Sequence, residues 1–321
     1  MRIYRSLDEA RGVFGPCALS IGNFDGVHVG HQALFRKVRE VAAERGLRAS
    51  VLTFSPHPTQ VVAPQRAPKL LSTVEQRCEW MAETGIEQVL VLPFDSGLAA
   101  KSPEDFVREI LAEALGVKAV FIGQNFRFGH RQAGDAALLE RLGPAFGFEA
   151  SGVKPVRWRG HLISSSEIRG LVQSGQVMKA ARMLGRCYAL EGTVVRGHGI
   201  GSRQTVPTLN LSTQSEVLPA EGVYVTQTDC MDSGRRWKSI SNIGFRPTFA
   251  GDALAIETYL LDALEGETPE RIRVSFAHRV REERRFETAE LLKLQILRDV
   301  GRAMAWHRRY SRIVAARYTR N

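Results

Sequence analysis

Apolar runs and helical stripes alternate through the first part of the chain. Ala18–Ile21, Val51–Phe54, Val89–Leu92 and Ala119–Ile122 read as buried strands. Between them lie amphipathic helical patterns. Leu34, Val38, Val41 and Ala42 form one stripe, and Ser72–Glu83 and Pro103–Leu115 form further helices. Ser102-Pro103 suits a helix start, because proline fits the first turn. Alternating β and α elements predict a parallel, doubly wound sheet.

After Cys187 the period changes. Leu190–Val195, Gly222–Gln227, Lys238–Ile243, Ile256–Leu261 and Arg271–His278 are short strand patterns separated by turn residues. A helix follows over Thr288–Met304, with Leu291, Leu294, Leu297 and Val300 at helical spacing. Several strands closed by one helix predict a small β-barrel with a terminal helix. The expected organisation is an α/β domain over 1–185, a barrel domain over 186–311 and a basic tail over 312–321.

Bulk properties narrow the class. A chain of 321 residues with 44% hydrophobic and 24% charged positions is long enough for two globular cores. The net charge of +10 fits nucleic acid, anionic membranes, polyphosphate substrates or simply a solvated basic surface. Part of the excess sits in Arg302, Arg308, Arg309, Arg312, Arg317 and Arg320, which also suits a solvated helix. No nucleic-acid motif is present. Cys17, Cys78, Cys187 and Cys230 form no CxxC pair, so the sequence offers little for a redox or metal motif, and structural thiols are expected. The first residues carry no apolar signal core, and no apolar run is long enough to span a membrane. A cytoplasmic protein is expected, neither membrane-bound nor nucleic-acid-binding, acting as a monomer or weak homo-oligomer.

The most informative stretch is Ile21–His31, IGNFDGVHVGH. It lies between the first buried strand and the first long helix. A glycine-rich turn at a helix N-terminus is an anion site, since free N–H groups and the helix dipole both attract phosphate. His28 and His31 are three apart and are expected to share a helix face. Ile163–Arg169, ISSSEIR, adds hydroxyls and Arg169 at another helix start, where the serines also serve as N-caps. Gly123–Gly129, GQNFRFG, follows a strand end, where open α/β sheets place ligands.

These elements, with TFSPHP at 53–58, resemble in this order the N-terminal domain of bacterial bifunctional riboflavin kinase/FAD synthetase. The HxGH element alone resembles the wider HIGH-type nucleotidyltransferase superfamily. The resemblance implies that His28 and His31 hold ATP phosphates and stabilise the transition state. Gly22, Asn23 and Asp25 would shape the nucleotide turn, and Ser164, Ser165 and Arg169 would bind the triphosphate. Asn125, Pro56, His57 and Pro58 would face the flavin. Read without the family, His57 is a turn histidine between prolines and Asp25 a turn-stabilising carboxylate.

The second half carries its own constellation. Gly197–Leu211 reads GHGIGSRQTVPTLNL, and glycines allow backbone to approach phosphate closely. The Thr208 hydroxyl and Asn210 carbonyl suit Mg²⁺. Glu257, on a predicted strand, supplies the carboxylate that phosphorylation of an alcohol needs, although a solvent-facing glutamate fits the same alternation. PTLN, SNIGFRPTF, ETYLLD and REERRF resemble, in order, the C-terminal half of the same family. That implies a riboflavin kinase with Gly197, Gly199 and Gly201 at ATP, Thr208 and Asn210 at the metal, and Glu257 as base. Arg281, Glu283 and Phe286 would lie on the flavin side. Ser202 and Thr205 stand where the family has arginine and glycine, Tyr259 where histidine is common, and Gly266–Glu270 replaces a usual LYGK turn. The expected function is phosphorylation of riboflavin to FMN and adenylylation of FMN to FAD, with ATP and Mg²⁺. The alternative is an FMN adenylyltransferase with a weakened kinase domain.

Overall fold

The computed structural model describes residues 1–195, 208–248 and 251–318, and no side chains at 245–248, 251–254 and 311–318. Two compact units divide the chain, Met1–Glu167 and Ile168–Asn321.

The first unit is built on six parallel strands: β1 (Arg2–Tyr4), β2 (Cys17–Ile21), β3 (Arg48–Ser55), β4 (Gln88–Pro93), β5 (Val117–Gly123) and β6 (Glu149–Val153). Their order is β1-β4-β3-β2-β5-β6. Burial on both faces explains the continuous apolar runs. Leu19 and Ile21 of β2 pack into one core with Phe106, Ile110 and Leu111. Ala18 and Val51 point into the other, against Phe35 and Val38 of helix Val29–Arg45 and Met81 of helix Val74–Glu83. The helix expected over 103–115 starts under its Ser102 cap and is wound as a π-helix over Phe106–Ala114. A small hairpin, β7 (Arg157–Trp158) and β8 (His161–Leu162), follows the sheet. The chain leaves β2 through β3 and β4, then crosses back to β5. The clefts at the C-terminal ends of β2 and β5 therefore mark a topological switch point.

The second unit contains a closed antiparallel barrel of β9 (Tyr188–Val195), β10 (Thr208–Thr213), β11 (Gly222–Cys230), β12 (Arg236–Thr248), β13 (Gly251–Leu260) and β14 (Arg271–Arg281). Strand β10 is not among the strand patterns expected from the sequence, where Thr208 and Asn210 enter as oxygen donors. Inside the barrel five fully buried hydroxyls form a chain. Thr228 meets Ser239, Ser239 meets Thr226, Thr226 meets Ser241 and Ser241 meets Thr258, each at 2.8 Å. Mutual satisfaction removes the cost of burying them. The segment after Glu167 belongs with this unit. There Gly175 lies against Arg279 and the Tyr224 hydroxyl, and His278 Nδ1 is 3.1 Å from Met178 Sδ.

The terminal helix runs over Ala289–Tyr318, and its orientation corrects the apolar pattern. Its buried stripe is Gln295, Asp299, Ala303 and His307, while Leu291, Leu294 and Leu297 are 49%, 53% and 59% exposed. Asp299 turns inward because Arg281 of β14 donates to it, Nε to Oδ2, at 2.7 Å. Val300 and Trp306 pack with Val223, Val225 and Ile240 on the outside of the barrel. No helix among the described residues is long and apolar enough to cross a membrane.

Candidate active sites

The first site forms where β2 ends. Gly22 N–H donates to Leu52 O at 3.1 Å, and residues 23–28 then turn into helix Val29–Arg45. The turn is strained. Phe24 and Val27 have φ of 51° and 39°, values that side chains rarely adopt, and for a β-branched residue the departure is marked. Packing and hydrogen bonds hold it there. The Phe24 ring is buried against Phe35 and meets His31 edge-on at 5.2 Å. The Asp25 carboxylate accepts from Leu71 N–H at 2.9 Å and from the Ser72 hydroxyl at 3.2 Å. Ser72 Oγ in turn accepts from Gly26 N–H at 2.9 Å. These bonds are the turn-stabilising role read for Asp25 without the family.

His28 and His31 meet, but not as neighbours on a helix face. His28 is the N-cap, extended at φ −73° and ψ 170°, and its Nδ1 accepts from His31 N–H at 3.3 Å. The two rings stack with centroids 3.5 Å apart and planes 17° from parallel. With Nδ1 used as an acceptor, a neutral His28 ring carries its proton on Nε2. Gly30 makes room for this ring, because a Cβ there would lie 3.1 Å from His28 Cε1 and Nδ1.

A second helix N-terminus converges on the turn. Ser165 opens helix Ser165–Gln173 and donates its hydroxyl to Asp25 O at 2.8 Å. Ser164 accepts from Glu167 N–H at 3.3 Å, an N-capping bond. Arg169 lies one turn along the same helix and is half-buried. Two N-termini facing one turn concentrate partial positive charge where an anion would sit.

Beside this turn, β3 ends in Pro56, His57 and Pro58. His57 caps helix Pro58–Val62, with Nδ1 accepting from Thr59 N–H at 3.2 Å. Its Nε2 is 3.0 Å from the Asn23 amide. The Asn23 atom at that distance is Nδ2, and the direction of the contact follows the His57 tautomer. Asn125 is exposed just beyond β5, on the same edge of the sheet. Sequence reasoning missed Arg77, which is 4% exposed and donates to Asn23 O at 2.7 Å and Thr53 Oγ1 at 3.1 Å. Burial pushes its pKa below the ordinary arginine value, and the charge of Asp25 opposes that shift. Its only sequence signal was a cation inside the amphipathic helix pattern 72–83.

The second site lies on the outer wall of the barrel. Asn210 of β10 pairs with Glu257 of β13, and Glu257 pairs with Asn242 of β12. Thr208 pairs with Tyr259 and shares the face of Asn210. Asn242 Nδ2 donates to Glu283 Oε1 at 3.3 Å, which brings Glu283 into the same row. A Cβ at Gly244 would overlap the Glu283 carboxylate. Hydroxyl, amide oxygen and carboxylate are hard oxygen donors, so the row fits Mg²⁺. Arg281 and Phe286, expected on the flavin side, sit in a cluster with Asp299 and Arg284. Arg281 is paired with Asp299, and Phe286 lies under the Arg281 and Arg284 guanidinium groups at 5.7 and 5.5 Å. The region therefore ties the post-β14 segment to the terminal helix. Gly197, Gly199, Gly201, Ser202 and Thr205 lie outside the described residues.

A switch-point anion turn and a separate barrel bearing a carboxylate row define a protein with two phosphate-transfer modules. Comparison with known proteins agrees. Residues 12–167 match the FAD synthetase family and residues 184–307 the riboflavin kinase family. A bifunctional riboflavin kinase/FMN adenylyltransferase of Pseudomonas fluorescens is 36% identical over 95% of this chain and 97% of its own. Its counterpart in Escherichia coli K12 is 34% identical over 88% and 90%. A crystal structure titled as a macrolide-efflux protein from Streptococcus pneumoniae superposes with a TM-score of 0.81 at 26% identity, covering 92% of this chain and 96% of that one. The chain belongs to the family of bifunctional riboflavin kinases/FMN adenylyltransferases.

Proposed function

We propose that the chain makes both flavin cofactors, the barrel converting riboflavin and ATP to FMN and ADP, and the sheet domain converting FMN and ATP to FAD and pyrophosphate. The observation that carries this reading is the presence, in one chain, of the stacked His28–His31 pair at a helix N-terminus and the Asn210–Glu257–Asn242 row. Adenylyl transfer forms a bond from an FMN phosphate oxygen to the α-phosphorus of ATP and breaks the bond to the β-phosphate. Charge grows on the departing pyrophosphate. In this reading His28, His31 and the N–H groups opening helices Val29–Arg45 and Ser165–Gln173 receive it. Asn23 belongs to the nucleotide turn, and Pro56, His57, Pro58 and Asn125 take the flavin side.

In the barrel, Glu257 orients the primary hydroxyl of riboflavin and accepts its proton as the oxygen attacks the γ-phosphorus. Thr208 and Asn210 would hold Mg²⁺, which neutralises charge between the phosphates. Glu283, held by Asn242, closes the row on its other side. The four cysteines are free thiols, consistent with a cytoplasmic setting. The test is a product assay on the purified chain with riboflavin and Mg-ATP. FMN followed by FAD is expected, and formation of neither overturns the kinase assignment. FAD formed only when FMN is supplied would favour the adenylyltransferase-only reading.

A further inference from the structure

Arg77 sits in helix Val74–Glu83 among Cys78, Trp80 and Met81, yet its guanidinium reaches the end of β3 and the nucleotide turn. It donates through Nη1 to the carbonyls of Asn23 at 2.7 Å and Phe54 at 3.5 Å, and to Thr53 Oγ1 at 3.1 Å. Thr53 Oγ1 itself donates to Asn23 O at 3.2 Å, closing a small ring. Nε is buried and has no hydrogen-bond partner among the described residues. A buried cation with an unused donor is a costly way to pack a helix on a sheet, and an apolar residue of similar size is often as stable or better. The gain therefore lies in what the cation holds in place.

We infer that Arg77 is a positioning residue for adenylyl transfer: it fixes the Asn23 carbonyl to the end of β3 and so sets the nucleotide turn against the His57 loop. Asn23 has two tethers. Its carbonyl is held by Arg77 and Thr53, and its side-chain amide meets His57. Thr53 and His57 come from the end of β3 and the loop just after it, and Arg77 reaches in from helix Val74–Glu83. The strained φ values at Phe24 and Val27 follow directly, so a shift at Asn23 passes to His28 through a turn already held against its preference. The Asp25 charge opposes the burial shift of Arg77. The inference rests on the turn being the ATP site.

The test measures FMN adenylylation and riboflavin phosphorylation by the full chain in R77K, R77M and, as reference, H31A. Lysine keeps the charge but replaces the planar fork by a point donor that cannot span the same acceptors. The KM for ATP in adenylylation should rise from wild type to R77K to R77M, by about threefold and then about tenfold or more, with kcat falling alongside. Riboflavin phosphorylation should stay unchanged, since it is performed by the barrel unit. A role in stability alone lowers the folded fraction, which reduces kcat and leaves KM untouched. An unchanged KM for ATP in every folded variant therefore overturns the inference. Should R77M fail to fold, R77K against wild type decides by the same criterion. Retained FAD formation in H31A would instead remove the reading of the turn as the ATP site. Loss in H31A with an unchanged KM in R77K and R77M removes the role of Arg77 alone.

Discussion

His28 and His31 stack with ring centroids 3.5 Å apart, and the residue that permits it is Gly30, one position after the start of the helix. An alanine there adds a methyl group 3.1 Å from His28 Cε1 and Nδ1, closer than a comfortable contact. The same change favours the helix by up to about 1 kcal/mol. Gly30→Ala should therefore cut FAD formation by about tenfold without lowering the melting temperature. Steady-state kinetics and a thermal melt on one preparation check the pair of outcomes. Full activity would show that the ring can move aside at no cost to the chemistry.

The Arg281–Asp299 ion pair should matter to the barrel as structure. The two side chains are 15% and 3% exposed, and Gln295 Nε2 donates to the second Asp299 oxygen at 2.8 Å. Asp299→Ala leaves the Arg281 guanidinium without its carboxylate, a loss of about 3 kcal/mol or more. The double variant Arg281→Met, Asp299→Leu should recover much of that stability. Denaturant titration of the four combinations measures the coupling. Equal and additive losses would mean that the pair does not anchor the helix.

How far these relationships were legible from sequence differs between the two halves. The parallel sheet was, because strands buried on both faces read as plain apolar runs, and Ala18–Ile21 and Val89–Leu92 needed no context. So was the strand–turn–helix around His28, whose chemistry is local. Strand β10 was not, because Pro207 and the alternating Thr208-Leu209-Asn210 look as much like a loop with donors as like a barrel edge. The terminal helix misled for a related reason. Its strongest apolar stripe, Leu291, Leu294 and Leu297, faces outward, while the buried stripe includes Asp299 because a strand fifteen or more residues earlier ends in Arg281. Such a pairing is tertiary and leaves no periodic trace. Arg77 was hidden in the same way, its acceptors lying on β3 and the β2 turn.

The barrel should lose stability as the solution is acidified. Burial pushes the pKa of His307 below the ordinary histidine value, against the opposing effect of the Ser239 and Thr226 carbonyls. Lys238 adds to the depression and Asp262 opposes it. Burial depresses His278 as well. For a histidine depressed in the folded state the unfolded chain binds the proton more readily. Stability is then full above the unfolded pKa of about 6.5 and falls as pH drops below it towards the folded value. His307→Gln should flatten that slope. Melting temperatures of wild type and variant from about pH 8 to about pH 5 provide the comparison, and parallel curves would exclude His307 as a source.

The central claim is that two separate sites act in succession on one flavin, and mixing two damaged chains tests it most directly. His31→Ala should convert riboflavin to FMN and stop there. Glu257→Gln should make nothing from riboflavin but should make FAD from added FMN. With riboflavin and Mg-ATP, the mixture of the two variants should form FAD, since FMN released by the first feeds the second. FAD formation from riboflavin by either variant alone, or a mixture of folded variants that forms none, would contradict the account.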